Sequence, residues 1–295
     1  LGVHVETLDF GNSGAFDLGI VAQTLAQDTD GRIKAVLAVY VDTSTSVRND
    51  IKGLRDVMDA TGHDALLMAD CIASLGCDRF EMDAWGVDVT IAASQKGLMT
   101  PPGLGLVWFN DKAAAVRAQM PRVSRYWDWQ PRANPEGYWQ LFDGTAPTHH
   151  LYGLRAALDM IKEEGLENVW TRHAVLARTI WAACDCWGQG GPLTLNIADP
   201  AQRSHAVTSI CIGSPDGDRL RAWMEDVTGV TLGIGLGREP ADAYFRIGHM
   251  GHVNAHMVLG VLGSLDAGLK ALNIPHGDGA LQSAANVVAA ASLTP

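Results

Sequence analysis

The chain has 295 residues, 47% of them apolar, with 33 acidic against 22 basic side chains and a formal charge of −11. That length and apolar share can bury a large core and predict one larger and one smaller domain. The acidic balance argues against nucleic acid or an anionic membrane as a principal partner, since both call for a basic footprint.

No apolar run approaches the roughly 20 residues of a membrane span, and the first residues carry no charged-then-apolar leader pattern. The cysteines (Cys71, Cys77, Cys184, Cys186, Cys211) lack zinc spacing and predict reduced thiols in a cytoplasmic setting. Along the chain, residues 34–40 form a continuous apolar run of strand length, the pattern of a parallel strand buried on both faces. Residues 49–60 follow with helical spacing at Ile51, Leu54, Val57 and Met58, stopped by Thr61-Gly62. Further strands are expected over 65–69 and 87–92, and over 104–109 after the Pro101-Pro102-Gly103 turn. This rhythm predicts an α/β, doubly wound sheet, in which ligands sit at the carboxyl ends of strands.

Residues 122–147 are rich in Trp, Pro, Asn and Gly and predict a long irregular segment containing Trp127, Trp129, Tyr138 and Trp139. Two amphipathic helices are expected over 151–164 and 166–187, separated by Gly165. The second leads into a smaller α+β part with strands at 206–212 and 244–247 and helices at 218–227 and 253–272. The expected domains are therefore 1–165 and 166–295, with an Ala-rich tail from 279 as one more helix or a frayed end.

Lys96, in Ser94-Gln95-Lys96-Gly97, follows one strand-like run, and Asp70 closes another 26 positions earlier. A lysine amine can bond covalently to an aldehyde. A carboxylate at the end of an apolar run is costly to bury without a cationic partner, which a protonated ring nitrogen would supply. The surrounding text is Met68-Ala69-Asp70-Cys71-Ile72-Ala73-Ser74-Leu75-Gly76, then Asp83-Ala84-Trp85-Gly86-Val87-Asp88, then Ser94-Gln95-Lys96-Gly97-Leu98-Met99-Thr100-Pro101-Pro102-Gly103-Leu104-Gly105. In order and spacing it resembles the class V aminotransferases, in particular the alanine–glyoxylate, serine–glyoxylate and serine–pyruvate branch. The resemblance continues, more thinly, at Phe245-Arg246-Ile247-Gly248-His249-Met250-Gly251.

The resemblance implies a fold-type I architecture: a mixed, mostly parallel sheet sandwiched by helices, with a smaller C-terminal α+β domain. It implies pyridoxal 5'-phosphate as cofactor, with Lys96 bonded to its aldehyde and shuttling the substrate proton, and Asp70 paired to the pyridine nitrogen. Gln95 matches a phosphate-contacting glutamine. Thr43, in Asp42-Thr43-Ser44-Thr45-Ser46, matches a hydroxyl that bonds the ring oxygen, although Val41-Asp42 and Ser46 depart from the pattern and leave Thr45 as the alternative. Thr145 matches a threonine that reaches across a homodimer to the neighbour's phosphate; Phe142 stands where the family has a tyrosine. Arg246 matches the arginine that grips the substrate α-carboxylate, a role suited to the planar guanidinium fork. Arg238 resembles a second arginine of the pyridoxamine–pyruvate branch, one position out of register.

The implied activity is ping-pong transfer of an amino group from a small amino acid (alanine, serine or aspartate) to glyoxylate or pyruvate. A pyridoxamine–pyruvate-type reaction and a truncated, inactive subunit are the alternatives. The chain opens at Leu1, which against the resemblance lies inside the large domain, past the family's phosphate-binding Gly/Ser-rich loop and ring-stacking aromatic. A fragment of a longer chain and a truncated product are both expectations at this point. The fold also hosts desulfurases, but these typically carry a histidine where Gln95 stands. Gly233-Ile234-Gly235-Leu236-Gly237 lacks the βαβ setting of a dinucleotide loop and predicts a flexible substrate-side loop. His149-His150 and Cys184-x-Cys186 lack companion ligands, so no metal is expected.

Overall fold

The computed structural model describes residues 2–291. Helix α1 (Leu18–Gln27) starts at Asp17, whose carboxylate accepts the Gly19 and Ile20 N–H groups left unpaired by the first turn. Then come β1 (Ala35–Val39), α2 (Ile51–Ala60, capped by Asp50), β2 (Leu66–Asp70), β3 (Val89–Ala93) and β4 (Gly105–Phe109). They form one sheet in the order β1-β2-β3-β4, parallel across the first three strands and antiparallel at β4.

Helices α1 and α2 cover one face, packing Val21, Leu25, Leu54 and Met58 with Leu67 and Ala69. The other face departs from the expectation for β1: Leu37 is 76% exposed, and Val39, two residues on, and Ile91 of β3, both in register with Asp70, are exposed too. An apolar run reports a strand, whereas the layer that covers it is contributed by distant residues. The link from β2 to β3 also differs from a doubly wound unit, since residues 71–88 run as turns without a helix.

After β4 come α3 (Asp111–Ala118), the single turn α4 (Gln130–Ala133), α5 (Thr148–Glu164) and α6 (Leu166–Gly188). Gly165, at φ +84°, ends one long helix and begins the next, a backbone state that favours glycine. The second sheet contains β5 (Thr194–Leu195), β6 (Val207–Cys211), β7 (Gly233–Ile234) and β8 (Tyr244–Gly248), antiparallel in the order β5-β6-β8-β7. Helices α7 (Asp216–Trp223), α8 (Ala255–Ala271) and α9 (Ala280–Ala290) complete it. Its core gathers Ile180, Trp187, Ile210, Leu220, Phe245, Leu262 and Leu269.

The glycine-rich 233–237 stretch is corrected from a flexible loop to a short edge strand and turn. Gly233 and Ile234 pair with Arg246 and Phe245, and a Cβ on Gly235 would stand 2.2 Å from the Ala241 carbonyl oxygen. The Ala-rich tail is helical as far as Ala290; residues 292–295 lie outside the described residues.

Candidate active site

Asp70 is the last residue of β2 and Lys96 lies in the turn that follows β3, so both stand at the carboxyl ends of adjacent parallel strands. Asp70 is half-buried rather than fully buried. Its Oδ1 accepts the Ile72 N–H at 2.8 Å, while Oδ2 has no partner among the described residues. Lys96 is also half-buried. The ion-paired lysines among the described residues are Lys52, Lys112 and Lys270, and Lys96 is not one of them.

The loop that carries Lys96 is closed by Ser94, which is fully buried. Its hydroxyl donates to the Pro101 carbonyl at 2.8 Å, and its own carbonyl accepts the Thr100 N–H and hydroxyl at 3.0 and 2.8 Å. Gly97 is pressed on the segment after Asp70: a Cβ there would lie 2.1 Å from the Leu75 carbonyl oxygen and 2.9 Å from Cys77 Sγ. From α5, His150 Nε2 meets the Pro102 carbonyl at 3.1 Å. Arg172 of α6 donates to the Gly251 and Val253 carbonyls at 2.9 and 2.8 Å. Gly251 in turn lies against Met99, since its Cβ would be 3.0 Å from Met99 Cγ. Sequence patterns did not single out Ser94 or Arg172; the placement of Ser94 directly before Gln95-Lys96 was the available signal.

The threonine ambiguity is reduced. Thr45 is 2% exposed and its hydroxyl accepts the Val47 N–H, so it is spent on the loop, whereas Thr43 stays half-exposed. Arg246 projects from β8, half-buried, with Nε donating to the Ile234 carbonyl and Nη1 to the Thr43 carbonyl, both at 2.8 Å. It makes no ion pair among the described residues, where the paired arginines are others. Burial lowers its hold on its proton, with Asp42 opposing and Arg221 adding to the effect. A bound carboxylate would reverse that penalty.

Arg238 is 9% exposed, stacked over Tyr244 at 4.5 Å. Its Nη atoms donate to the Asn12 carbonyl, Asn196 Oδ1 and the Tyr244 hydroxyl, and Nε is buried without a partner. Gln95 and Thr145 are exposed, Thr145 beyond an irregular stretch that also exposes Trp127 and Trp139. No group of three or more potential metal ligands occurs among the described residues.

The family model for class-V aminotransferases matches residues 1–237. The chain is 36% identical over 280 residues to a serine–glyoxylate aminotransferase of Arabidopsis thaliana, covering 92% of this chain and 67% of that one. To a serine–glyoxylate aminotransferase of Methylorubrum extorquens it is 39% identical over 258 residues, covering 84% and 62%. It thus spans roughly two thirds or less of the length of these two curated relatives. Its fold superposes on the crystal structure of a ureidoglycine–glyoxylate aminotransferase of Bacillus subtilis with a TM-score of 0.85, at 28% identity over 98% of this chain and 73% of that one. A fold-type I sheet with lysine and aspartate at neighbouring strand ends, and a sequence matched along most of its length, make this chain a member of the class-V aminotransferases.

Proposed function

We propose that the chain carries the catalytic residues of a pyridoxal phosphate-dependent transaminase moving an amino group from a small amino acid to glyoxylate or pyruvate. Serine leads the donors, with alanine and aspartate beside it, because both curated relatives above are named for serine and glyoxylate. The observation that carries the reading is the pairing of an amine and a carboxylate, each with uncommitted atoms, at adjacent strand ends.

These groups fit the cofactor by their chemistry. Lys96 would hold its aldehyde carbon, Asp70 its ring nitrogen, Thr43 its ring oxygen and Gln95 its phosphate. Thr145 would reach the phosphate of the neighbour in a homodimer. When bound, pyridoxal phosphate supplies an electrophilic carbonyl and a ring that accepts an electron pair. The free Asp70 oxygen would accept the proton of the ring nitrogen and so keep that nitrogen protonated. Once the substrate amine has displaced it from the aldehyde carbon, Lys96 Nζ would be free to take the proton from the substrate Cα and deliver it two atoms along, at that former aldehyde carbon, alternating as base and acid. Arg246 has Nη2 left over after its two carbonyl contacts, and that nitrogen with Nη1 grips the α-carboxylate and aims the Cα–H bond at Lys96. We also place the domain division at Gly165 and the protein in the cytoplasm.

The test is glycine formation from glyoxylate by the purified protein with pyridoxal phosphate and L-serine, L-alanine or L-aspartate in turn. Turnover with any donor supports the proposal. Phe142, which offers the phosphate no hydroxyl, makes pyridoxamine and pyruvate the control pair. Turnover with that pair alone would replace the reading, and none with any pair would reduce the chain to a non-catalytic subunit.

A further inference from the structure

We propose that Asp78 is a positioning residue that sets the carboxylate anchor Arg246 against the Lys96–Asp70 pair, an inference that rests on the transaminase reading above. Asp78 has no solvent exposure. It stands eight positions past Asp70 in the turn-rich link to β3, and that link is stiff: Ser74 N–H bonds to the Cys71 carbonyl and Asp78 N–H to the Ser74 carbonyl. Its neighbour Cys77 touches the Gly97 site beside Lys96. On its backbone side, then, Asp78 is tied to both proposed cofactor residues.

Its carboxylate faces elsewhere. Oδ2 accepts the Ser204 hydroxyl at 3.1 Å, the His205 backbone N–H reaches both oxygens at 3.1 and 3.2 Å, and His205 Nδ1 lies 3.1 Å from Oδ1. Arg48 Nη1 is 3.5 Å away, from the loop that carries Thr43. Burial pushes this carboxyl upward, but the His205 contacts and the Arg48 charge outweigh it and hold the group below the usual carboxylate range.

Ser204 and His205 lead directly into β6. Ala206 and Val207 pair with His249 and Gly248 of the β8 end, and Ser209 pairs with Arg246 itself. The Thr43 loop is sewn to the same strand: Ser204 N–H bonds to the Ser46 carbonyl, Ser209 N–H to the Ser46 hydroxyl at 3.1 Å, and Arg48 N–H to the Gln202 carbonyl. One buried carboxylate thereby joins three pieces that each hold one proposed function: cofactor, ring-oxygen hydroxyl and substrate carboxylate. A buried charge tolerates little displacement of its donors, because each lost bond leaves it unpaired. That stiffness suits a register device.

The experiment is a double-mutant cycle on Asp78→Asn and Arg246→Ala in the pyridoxal phosphate-loaded enzyme, with serine and glyoxylate as substrates. Asp78→Asn is expected to raise KM for glyoxylate about 5- to 10-fold with kcat changed less than about 2-fold, because the anchor shifts while Lys96 and Asp70 stay on their own sheet. In the Arg246→Ala background the same change should have no further effect on KM. Additive KM effects, or a lowered Tm with KM unchanged, would make Asp78 a structural carboxylate only and overturn the proposal. If Arg246→Ala leaves both KM values unchanged, the anchor reading falls by itself and the positioning role goes with it. Ser204→Ala, which removes one neutral donor, serves if Asp78→Asn does not fold; it should raise the same KM to a smaller extent, and an unchanged KM there would equally overturn the role.

Discussion

At the scale of single residues, Lys96 and Arg246 share a property that composition does not report: each is a partly buried cation without an ionic partner among the described residues. Arg172 and Arg48, by contrast, are paired with Glu164 and Asp78, whereas the enclosed Arg238 is held by neutral acceptors. We expect Lys96→Ala to lower turnover by about 10³-fold or more, the scale of a lost acid–base group, with an unchanged Tm. Activity assays beside thermal melts check this, and retained turnover would end the role. Arg246→Ala should raise KM for amino donor and oxo acid alike by about 10- to 100-fold, the worth of a charge-assisted contact. Steady-state kinetics with each substrate varied read it directly; an increase for one substrate alone would contradict a shared carboxylate anchor. Of the residues suggested by pattern, Thr43 and Thr45 differ only in three dimensions, because both are hydroxyls in one Ser/Thr-rich turn and only burial and the bond from the Val47 N–H to Thr45 set them apart.

At the scale of elements, the strand and helix runs were legible to within a few residues, since apolar periodicity and caps act locally. Helix α1 was not among the expected elements, although Leu18, Val21 and Leu25 stand at helical spacing behind the Asp17 cap. The Asp83-x-Trp85-Gly86-x-Asp88 motif, part of the family resemblance, turns out to brace the far end of the sheet. Asp88 accepts the Leu67 N–H and Asn110 Nδ2, each at 2.8 Å, and Gly86 (φ +64°) leaves room for Arg55. The Lys96 loop makes a sharper claim. Gly97 does not occupy the left-handed region, so its requirement is steric. Gly97→Ala should destabilise the protein by about 1–3 kcal/mol, as overpacking does, and reduce activity by displacing Lys96. Urea denaturation and turnover measured on the same preparation would show it, and a variant of wild-type stability would mean that the loop and Leu75 separate easily.

At the scale of the whole molecule, two histidines are sealed where the second sheet meets the Lys96 region. Burial lowers His173 to about 4, with Arg172 contributing against the Val169 bond, and lowers His249 to about 3. His173 Nε2 accepts the Gly251 N–H at 3.0 Å and His249 Nε2 contacts the Thr208 hydroxyl at 2.9 Å, so both sit neutral in the fold. Once unfolded they bind protons near pH 6.5. The unfolded chain therefore takes up more protons below that pH, and the stability these groups allow is complete above pH 6.5 and lost as pH falls toward 4. Each histidine contributes a slope of about 1.4 kcal/mol per pH unit in that window. Denaturant melts from pH 7.5 to pH 5 should show declining stability, and a flat profile would contradict the sealed neutral pair. Among the described residues no helix is long and apolar enough to cross a membrane.

The sequence by itself determined the α/β class, the order of the main strands and helices, the positions of Asp70 and Lys96 at strand ends, and that of Arg246 within a strand. These follow from local periodicity and from motif spacing, which need no knowledge of distant residues. Only the tertiary structure decided which face of the first sheet stays exposed, which threonine remains accessible, that Arg238 is enclosed by Asn12, Asn196 and Tyr244, and that Asp78 reaches Ser204 and His205. Those contacts join residues more than one hundred positions apart in several cases, and side-chain exposure is set by whatever such distant segments bring against it.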